Sequence, residues 1–240
     1  MGMAWVLLVA LAAALVGLIA WWQLAVAEGA YLGRRVVAFL YDCYARRYDQ
    51  VKQFQPASDA VMLAMPILQH LTARGSRRAE ARVLDVATGT GRLPAALLAQ
   101  PAFRGRIVAL DISPKMLQQA QAKLSGYADR VAWVRQDAQR LPFEDASFDV
   151  VTCLEAIEFF PRPFEAVAEL ARALKPGGLL MVSNRVGPDA WKLPGRAMPS
   201  AEFAELLGRL GLSNVVIHRW LVDYDLLLAE RRADHSTSLR

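Results

Sequence analysis

Three aspartates and two glycines carry most of the chemistry legible in this chain. Asp85 lies in a short apolar run, Arg82-Val83-Leu84-Asp85-Val86, that enters the turn Ala87-Thr88-Gly89-Thr90-Gly91. Glycines at 89 and 91 permit a tight backbone and close approach by a ligand, and Pro94 suits the first turn of the helix that follows, Leu93 to Ala99. A carboxylate just before such a turn is costly unless something pairs it; the plain alternative for Asp85 is a turn residue. Asp111 ends a second apolar run, Arg106 to Leu110, 20 residues beyond Gly91. That is about where a nucleotide-binding βαβ unit places a carboxylate for ribose hydroxyls. Asp137, after the run Val131–Arg135, is placed to accept a hydrogen bond from an adenine amino group. Two further carboxylates, Glu155 and Glu158, are candidate general bases, with Tyr48 and His218 as weaker ones; helix capping or core hydrogen bonding is the structural alternative for each.

The elements that must position these groups alternate. Strands are predicted at 82–86, 106–110, 131–135, 148–153 and 179–183. Helices are predicted at 93–99, 114–125 and 163–174, the last with Phe164, Val167, Leu170 and Leu174 near one face and ended by the turn Lys175-Pro176-Gly177-Gly178. Alternation of β and α predicts a mostly parallel sheet with helices on both faces. Toward the C-terminus, 186–199 reads as a Gly/Pro-interrupted loop, and the sequence leaves open whether it acts as a lid. Ser200 is placed to cap a short helix to Leu210, and 215–220 with 222–229 form a closing strand pair. Residues 231–240 read as a polar tail.

Val83 to Gly91, then Asp111, Asp137-Ala138, Phe148-Asp149-Val150-Val151 and Leu174-Lys175-Pro176-Gly177-Gly178 resemble, in order, the motif series of class I S-adenosylmethionine (SAM) dependent methyltransferases. The resemblance covers roughly residues 42–230. It implies a Rossmann-like α/β fold and SAM as cofactor, bound by Asp85, Ala87, Thr88, Gly89, Gly91, Asp111, Ile112, Asp137, Ala138 and Leu154. Within that class the chain resembles the ubiquinone and menaquinone biosynthesis branch, through Tyr44-Ala45-Arg46-Arg47-Tyr48-Asp49 and through Val151 to Phe159. The latter segment is similar to the E-x-x-E-H stretch of quinone O-methyltransferases, whose acids and His bind a divalent metal. Phe159 replaces that His, so no metal is expected.

From Ala4 to Ala27 there is no charged side chain, and Gln23 is the one strongly polar residue. At about 1.5 Å per residue the run spans a bilayer, with Trp5 and Trp21-Trp22 near its two interfaces. The competing reading is a cleaved signal peptide ending near Ala25-Val26-Ala27. The length of the run and the absence of Lys or Arg before it favour an anchor, residues 1–30. The net charge of +5 owes much to Arg34, Arg35, Arg46, Arg47 and Lys52, which would face anionic headgroups and hold the following domain in the cytoplasm. Residues 31–80 are expected to be helical, interfacial or a lid on the catalytic domain of 81–230, or both.

Two cysteines far apart match neither a disulfide framework nor a zinc motif. A nicotinamide dehydrogenase would need a small residue where Pro94 stands. A non-catalytic scaffold with the same fold is distinguished from an enzyme only by its acceptor pocket. No separate basic domain points to nucleic acid. The anchor together with the resemblance to the quinone branch implies an acceptor that is small and lipophilic, a quinone precursor or lipid, met at the membrane surface.

Overall fold

The computed structural model describes residues 2–75 and 81–233. The first helix is α1 (Gly2–Trp21), extended by a π-helical turn at Trp22–Val26, and α2 (Arg34–Tyr44) follows. After a short 3-10 turn come α3 (Tyr48–Lys52), α4 (Pro56–Asp59) and α5 (Met65–Ala73), the last two joined through a π-helical turn at Ala60–Ala64. The alternating part runs β1 (Arg82–Val86), α6 (Arg92–Leu98), β2 (Arg106–Asp111), α7 (Pro114–Lys123), β3 (Val131–Arg135), β4 (Phe148–Cys153), α8 (Pro163–Ala173) and β5 (Leu174–Arg185). It closes with α9 (Ser200–Arg209), β6 (Leu212–Arg219) and β7 (Tyr224–Arg231).

Among the described residues seven strands form one sheet in the order β3-β2-β1-β4-β5-β7-β6. The first five are parallel, and β7 is antiparallel to both β5 and β6. Successive side chains on a strand point to opposite faces, so β1 sends Leu84 and Val86 to one side and Val83 to the other. Leu84 and Val86 join Val151, Leu180, Val167 and Leu170 beneath α8, with Phe203 and Leu207 of α9. Val83 joins Ile107, Val150 and Met181 against the helices of the other face, through Ile67 and Leu71 of α5 and Leu93 and Leu97 of α6. Chain order reverses between β1 and β4, and in such sheets the crevice beyond the carboxyl ends of those strands is where ligands bind.

Several expected boundaries change. Ser200 does not cap α9: Pro199 holds the cap position, and the Ser200 hydroxyl instead bonds Asp225 at 2.8 Å and accepts from Asn184 at 3.0 Å. The turn Lys175–Gly178 is already part of β5, since Leu174 pairs with Phe148. A Cβ at Gly178 would meet the Asp149 carbonyl at 2.8 Å, so this glycine serves strand approach. The closing strands are not bounded as expected: β6 begins at Leu212, and Arg231 belongs to β7, its guanidinium bonding the carbonyl of Arg172 at 3.0 Å at the end of α8. The rest of the expected tail, 234–240, lies outside the described residues.

Gly91 shows how the fold constrains the turn. Its φ is +79°, and a Cβ there would lie 3.2 Å from both Ala120 Cβ and Leu124 Cδ1 of the α7 region. Gly91→Ala is expected to destabilise the protein by about 2 kcal/mol through left-handed strain and crowding. Chemical denaturation checks this; an unchanged midpoint would show that α7 does not press on the turn.

Candidate functional site

The crevice at the β1/β4 switch is a cleft of about 710 Å³, its open mouth included. A smaller lobe of about 360 Å³ shares Tyr48, Ala87, Gly89, Leu154 and Glu155 with it. Of the expected cofactor residues, Ala87, Gly89, Asp111, Ile112, Asp137, Ala138 and Leu154 line the main cleft. Asp85 and Thr88 line the smaller lobe. Gly91 lines neither, because it faces α7. The structure therefore brings together nine of these ten positions.

Asp111 is 8% exposed, and its two oxygens accept from the backbone N–H groups of Gly89 and Ser113, both at 2.8 Å. Burial pushes its carboxyl up to about 6, against those amide hydrogen bonds, which pull the other way. Asp85, 3% exposed, accepts from Thr88 Oγ1 and Thr152 Oγ1, both at 2.6 Å. It too is pushed up to about 6, chiefly by burial, with Asp111 adding to the rise and the threonines opposing it. Neither carboxylate has a cationic partner among the described residues, so each fits a ligand that brings hydrogen-bond donors or positive charge. At Gly89, φ +54°, a Cβ would meet only the Tyr48 ring at 3.9 Å, which leaves the backbone open to a ligand. Ala87 and Glu155, both non-glycine, take φ of +56° and +51° on the cleft wall. Such strained positions concentrate at working sites.

The helices of 34–59 cover this cleft. Val37 and Tyr41 of α2 and Tyr48 of α3 line it, so the segment packs against the cleft. Carboxylates fasten it: Asp42 accepts from Ser113 Oγ at 2.6 Å and Lys115 N at 3.1 Å, Asp49 from Thr90 Oγ1, and Asp59 from Arg92. Two cations expected at lipid headgroups are engaged here instead. Arg34 pairs with Asp137 at 2.5 Å and Lys52 with Glu155 at 2.7 Å, because both reach across the cleft mouth to a carboxylate. The 186–199 loop does not line the cleft; its Leu193 is buried, and Pro194 and Arg196 bind the segment just before α2.

The two candidate bases separate. Glu155 lines both lobes, and its oxygens accept from Arg92 at 2.6 Å and Lys52 at 2.7 Å. Glu158 lines neither. It is 2% exposed, accepts from Arg185 Nε at 2.9 Å and from the Tyr224 hydroxyl, and burial raises its carboxyl against the pull of Arg185. The backbone after Glu155 turns through a 3-10 segment, Ile157–Phe159, that buries Glu158 in the core, which spacing alone does not reveal. Tyr48 is pushed far above its ordinary range by burial and by Glu155, so its hydroxyl stays protonated. His218 lines a groove between α5 and β6, away from the cleft. Glu158→Gln is expected to cost about 3 kcal/mol by leaving Arg185 without its buried counter-charge. Affinity of the folded variant for the expected cofactor should stay unchanged in the same samples; a large loss of affinity at full stability would place Glu158 in the site after all.

Sequence reasoning missed Arg92. It follows the glycine turn, lies between the rings of Phe54 (4.5 Å) and Trp220 (4.7 Å), and joins Asp59 to Glu155. It also missed that Asp149 and Lys175, from two of the motifs, form a scaffold pair at 2.9 Å, with Asp149 accepting from Arg82 N at 2.9 Å at the start of β1. Among the described residues no group of three or more His, Cys, Asp or Glu could hold a metal ion.

Residues 84–182 match the family model described as a methyltransferase domain. The chain carries a class I SAM-dependent methyltransferase domain. A ubiquinone/menaquinone biosynthesis C-methyltransferase of Pseudomonas putida (strain GB-1) is 35% identical over 146 residues, 59% of this chain and 57% of that protein. A demethylmenaquinone methyltransferase of Clavibacter sepedonicus is 44% identical over 101 residues, 42% of this chain and 40% of that one. The chain thus spans less than two thirds of the length of these relatives. Among solved structures, the magnesium protoporphyrin IX methyltransferase of Synechocystis PCC 6803, with bound SAM, superposes with a TM-score of 0.54 at 23% identity. The match covers 73% of this chain and 80% of that one. A SAM-dependent methyltransferase of Aquifex aeolicus gives 0.52 at 20% identity over 74% and 99%. These likenesses establish the fold of the methyltransferase domain, and SAM is its cofactor.

Proposed function

We propose that the chain is an active methyltransferase, anchored in the membrane by α1, that methylates a small lipophilic acceptor of the quinone-precursor type from the cytoplasmic side. The observation that carries this reading is the direct run from an apolar helix into α2, which packs against the SAM cleft. Gly2–Val26 is 25 residues with mean hydropathy 2.6, none of its most apolar stretch is buried, and only residues 27–33 separate it from α2. The names of the relatives add the acceptor class and point to a ring carbon as the methylated atom.

In this reading Asp111 and Ile112 hold the ribose side of SAM, Asp137 and Ala138 its adenine, and Asp85, Thr88 and the Gly89 backbone its methionine end. When bound, SAM supplies an electrophilic methyl group, and alignment of the acceptor can provide most of the acceleration. Tyr41, Tyr48 and Phe159 give the cleft an aromatic wall that excludes water. Glu155, held by Arg92 and Lys52, is the candidate base on the wall common to both lobes.

Turnover of the full chain in bilayers on ring acceptors with prenyl tails of increasing length tests the reading. The catalytic efficiency should rise with the tail, since confinement to the bilayer raises the effective concentration of acceptor. Equal efficiency on a tail-less ring would show that the membrane plays no part in acceptor choice.

A further inference from the structure

The anchor and the catalytic domain are joined without slack. The ring of Trp22 stacks on Tyr31 at 5.3 Å, the Gly29 N–H donates to the Gln23 carbonyl at 2.8 Å, and Ala27 and Ala30 are buried. A Cβ at Gly29 would lie 2.9 Å from Val36 of α2, so the turn packs directly on that helix. From the other side, Tyr31 donates to the Pro194 carbonyl and Arg196 to the Ala30 carbonyl, both at 2.8 Å, and Arg196 also bonds the carbonyl of Phe160 on the cleft rim. Tyr41 of α2 donates to Glu28 at 2.7 Å. Whatever surface α1 enters must therefore pass close to α2 and the 186–199 loop.

What those elements turn outward is chemically distinct. Val37 and Tyr41 face the cleft, whereas Arg35, Phe39, Cys43 and Arg46 recur at helical spacing on the exposed side. Phe39 is 64% exposed and Trp191, on the loop that grips Tyr31, is 75% exposed. Arg35, Arg46 and Arg47 are exposed and make no ion pair among the described residues. The carboxylates nearby are already engaged: Glu28 by Tyr41, Asp42 by Ser113 and Lys115, Asp189 by Lys192. Large apolar side chains ringed by unpaired cations suit an anionic bilayer surface, where rings enter the headgroup zone and arginines meet phosphates.

We infer that the outer face of α2, centred on Phe39, and the Trp191 loop form a seat for an anionic lipid surface, holding the mouth of the SAM cleft at headgroup level. The inference rests on α1 being a membrane anchor and adds the orientation of the domain on that membrane. The consequence is a short path for the acceptor: the α2 and Phe160 rim would receive it from the bilayer without passage through water.

Cys43 is exposed on the same stripe and Cys153 is buried, so the full chain can be labelled at Cys43 with an environment-sensitive fluorophore. We would reconstitute it in nanodiscs of phosphatidylcholine with phosphatidylglycerol and compare quenching by a lipid-chain nitroxide with quenching by aqueous iodide. The seat predicts stronger quenching by the nitroxide, loss of that quenching in the Phe39→Ser, Trp191→Ser double variant, and weaker nitroxide quenching in phosphatidylcholine alone. Dominant iodide quenching overturns it, and protection from both quenchers overturns it in favour of a second protein surface covering α2. Retention of the chain in the nanodisc and SAM binding in the same sample report separately on the anchor and on the methyltransferase reading.

Discussion

Asp111→Ala is expected to lower SAM affinity by about a hundredfold or more, since a charged acceptor makes hydrogen bonds of about 1.5–3 kcal/mol each and a ribose offers two hydroxyls. The backbone amides of Gly89 and Ser113 hold this carboxylate in place before any ligand arrives, so little ordering remains to oppose those bonds. The same substitution should leave folding intact at neutral pH. The ionised carboxyl is destabilised by burial, and its removal relieves that cost while leaving two amides to be satisfied. Calorimetric titration of the variant beside the parent separates these effects. Affinity within threefold of the parent would mean that the ligand does not reach Asp111.

Acid should weaken SAM binding while it stabilises the empty cleft. Asp85 and Asp111 both have carboxyls at about 6 in the folded chain against an ordinary 3.8. The folded state therefore binds protons more tightly than the unfolded state between those values. Stability from these two groups rises as pH falls from about 6 toward 4, and above 6 each ionised group costs about 3 kcal/mol. A ligand that donates to the ionised carboxylates acts the other way. Affinity should be level above about pH 7 and fall about tenfold by pH 5 for each carboxylate that must lose its proton, about a hundredfold if both must. Titrations from pH 5 to 7.5 in buffers of different ionisation enthalpy should also show proton release near pH 6. A flat profile without proton release would show that the ligand does not depend on these two groups.

Much of this cleft is legible in the sequence because its parts are local. The glycine turn at 87–91 and the carboxylates at the ends of β1, β2 and β3 follow from strand–turn–helix order. Parallel pairing of the strands then brings Asp85, Asp111 and Asp137 to one edge of the sheet. That 31–49 is helical and mixes aromatic and basic residues is legible, yet the contacts that hold it against the cleft are not. Asp42, Asp49 and Asp59 meet Ser113, Thr90 and Arg92 across long stretches of chain, and no spacing rule encodes such contacts. Glu155 and Glu158 stand three apart and look equivalent on paper. A left-handed residue at 155 and a single 3-10 turn send one to the cleft and the other into the core beside Arg185. The motif residues Asp149 and Lys175 mark the fold through a scaffold contact at the opposite end of the strands from the cleft, so motif order identifies the domain without every motif belonging to its site.

The decisive measurement is transfer of a labelled methyl group from SAM to a membrane lipid extract by the full chain reconstituted in bilayers. Label should appear in an organic-soluble product formed by the parent and absent with Asp111→Ala. Tight SAM binding with no label leaving the aqueous phase would contradict an active lipid-acceptor methyltransferase and leave a SAM-binding membrane scaffold in its place.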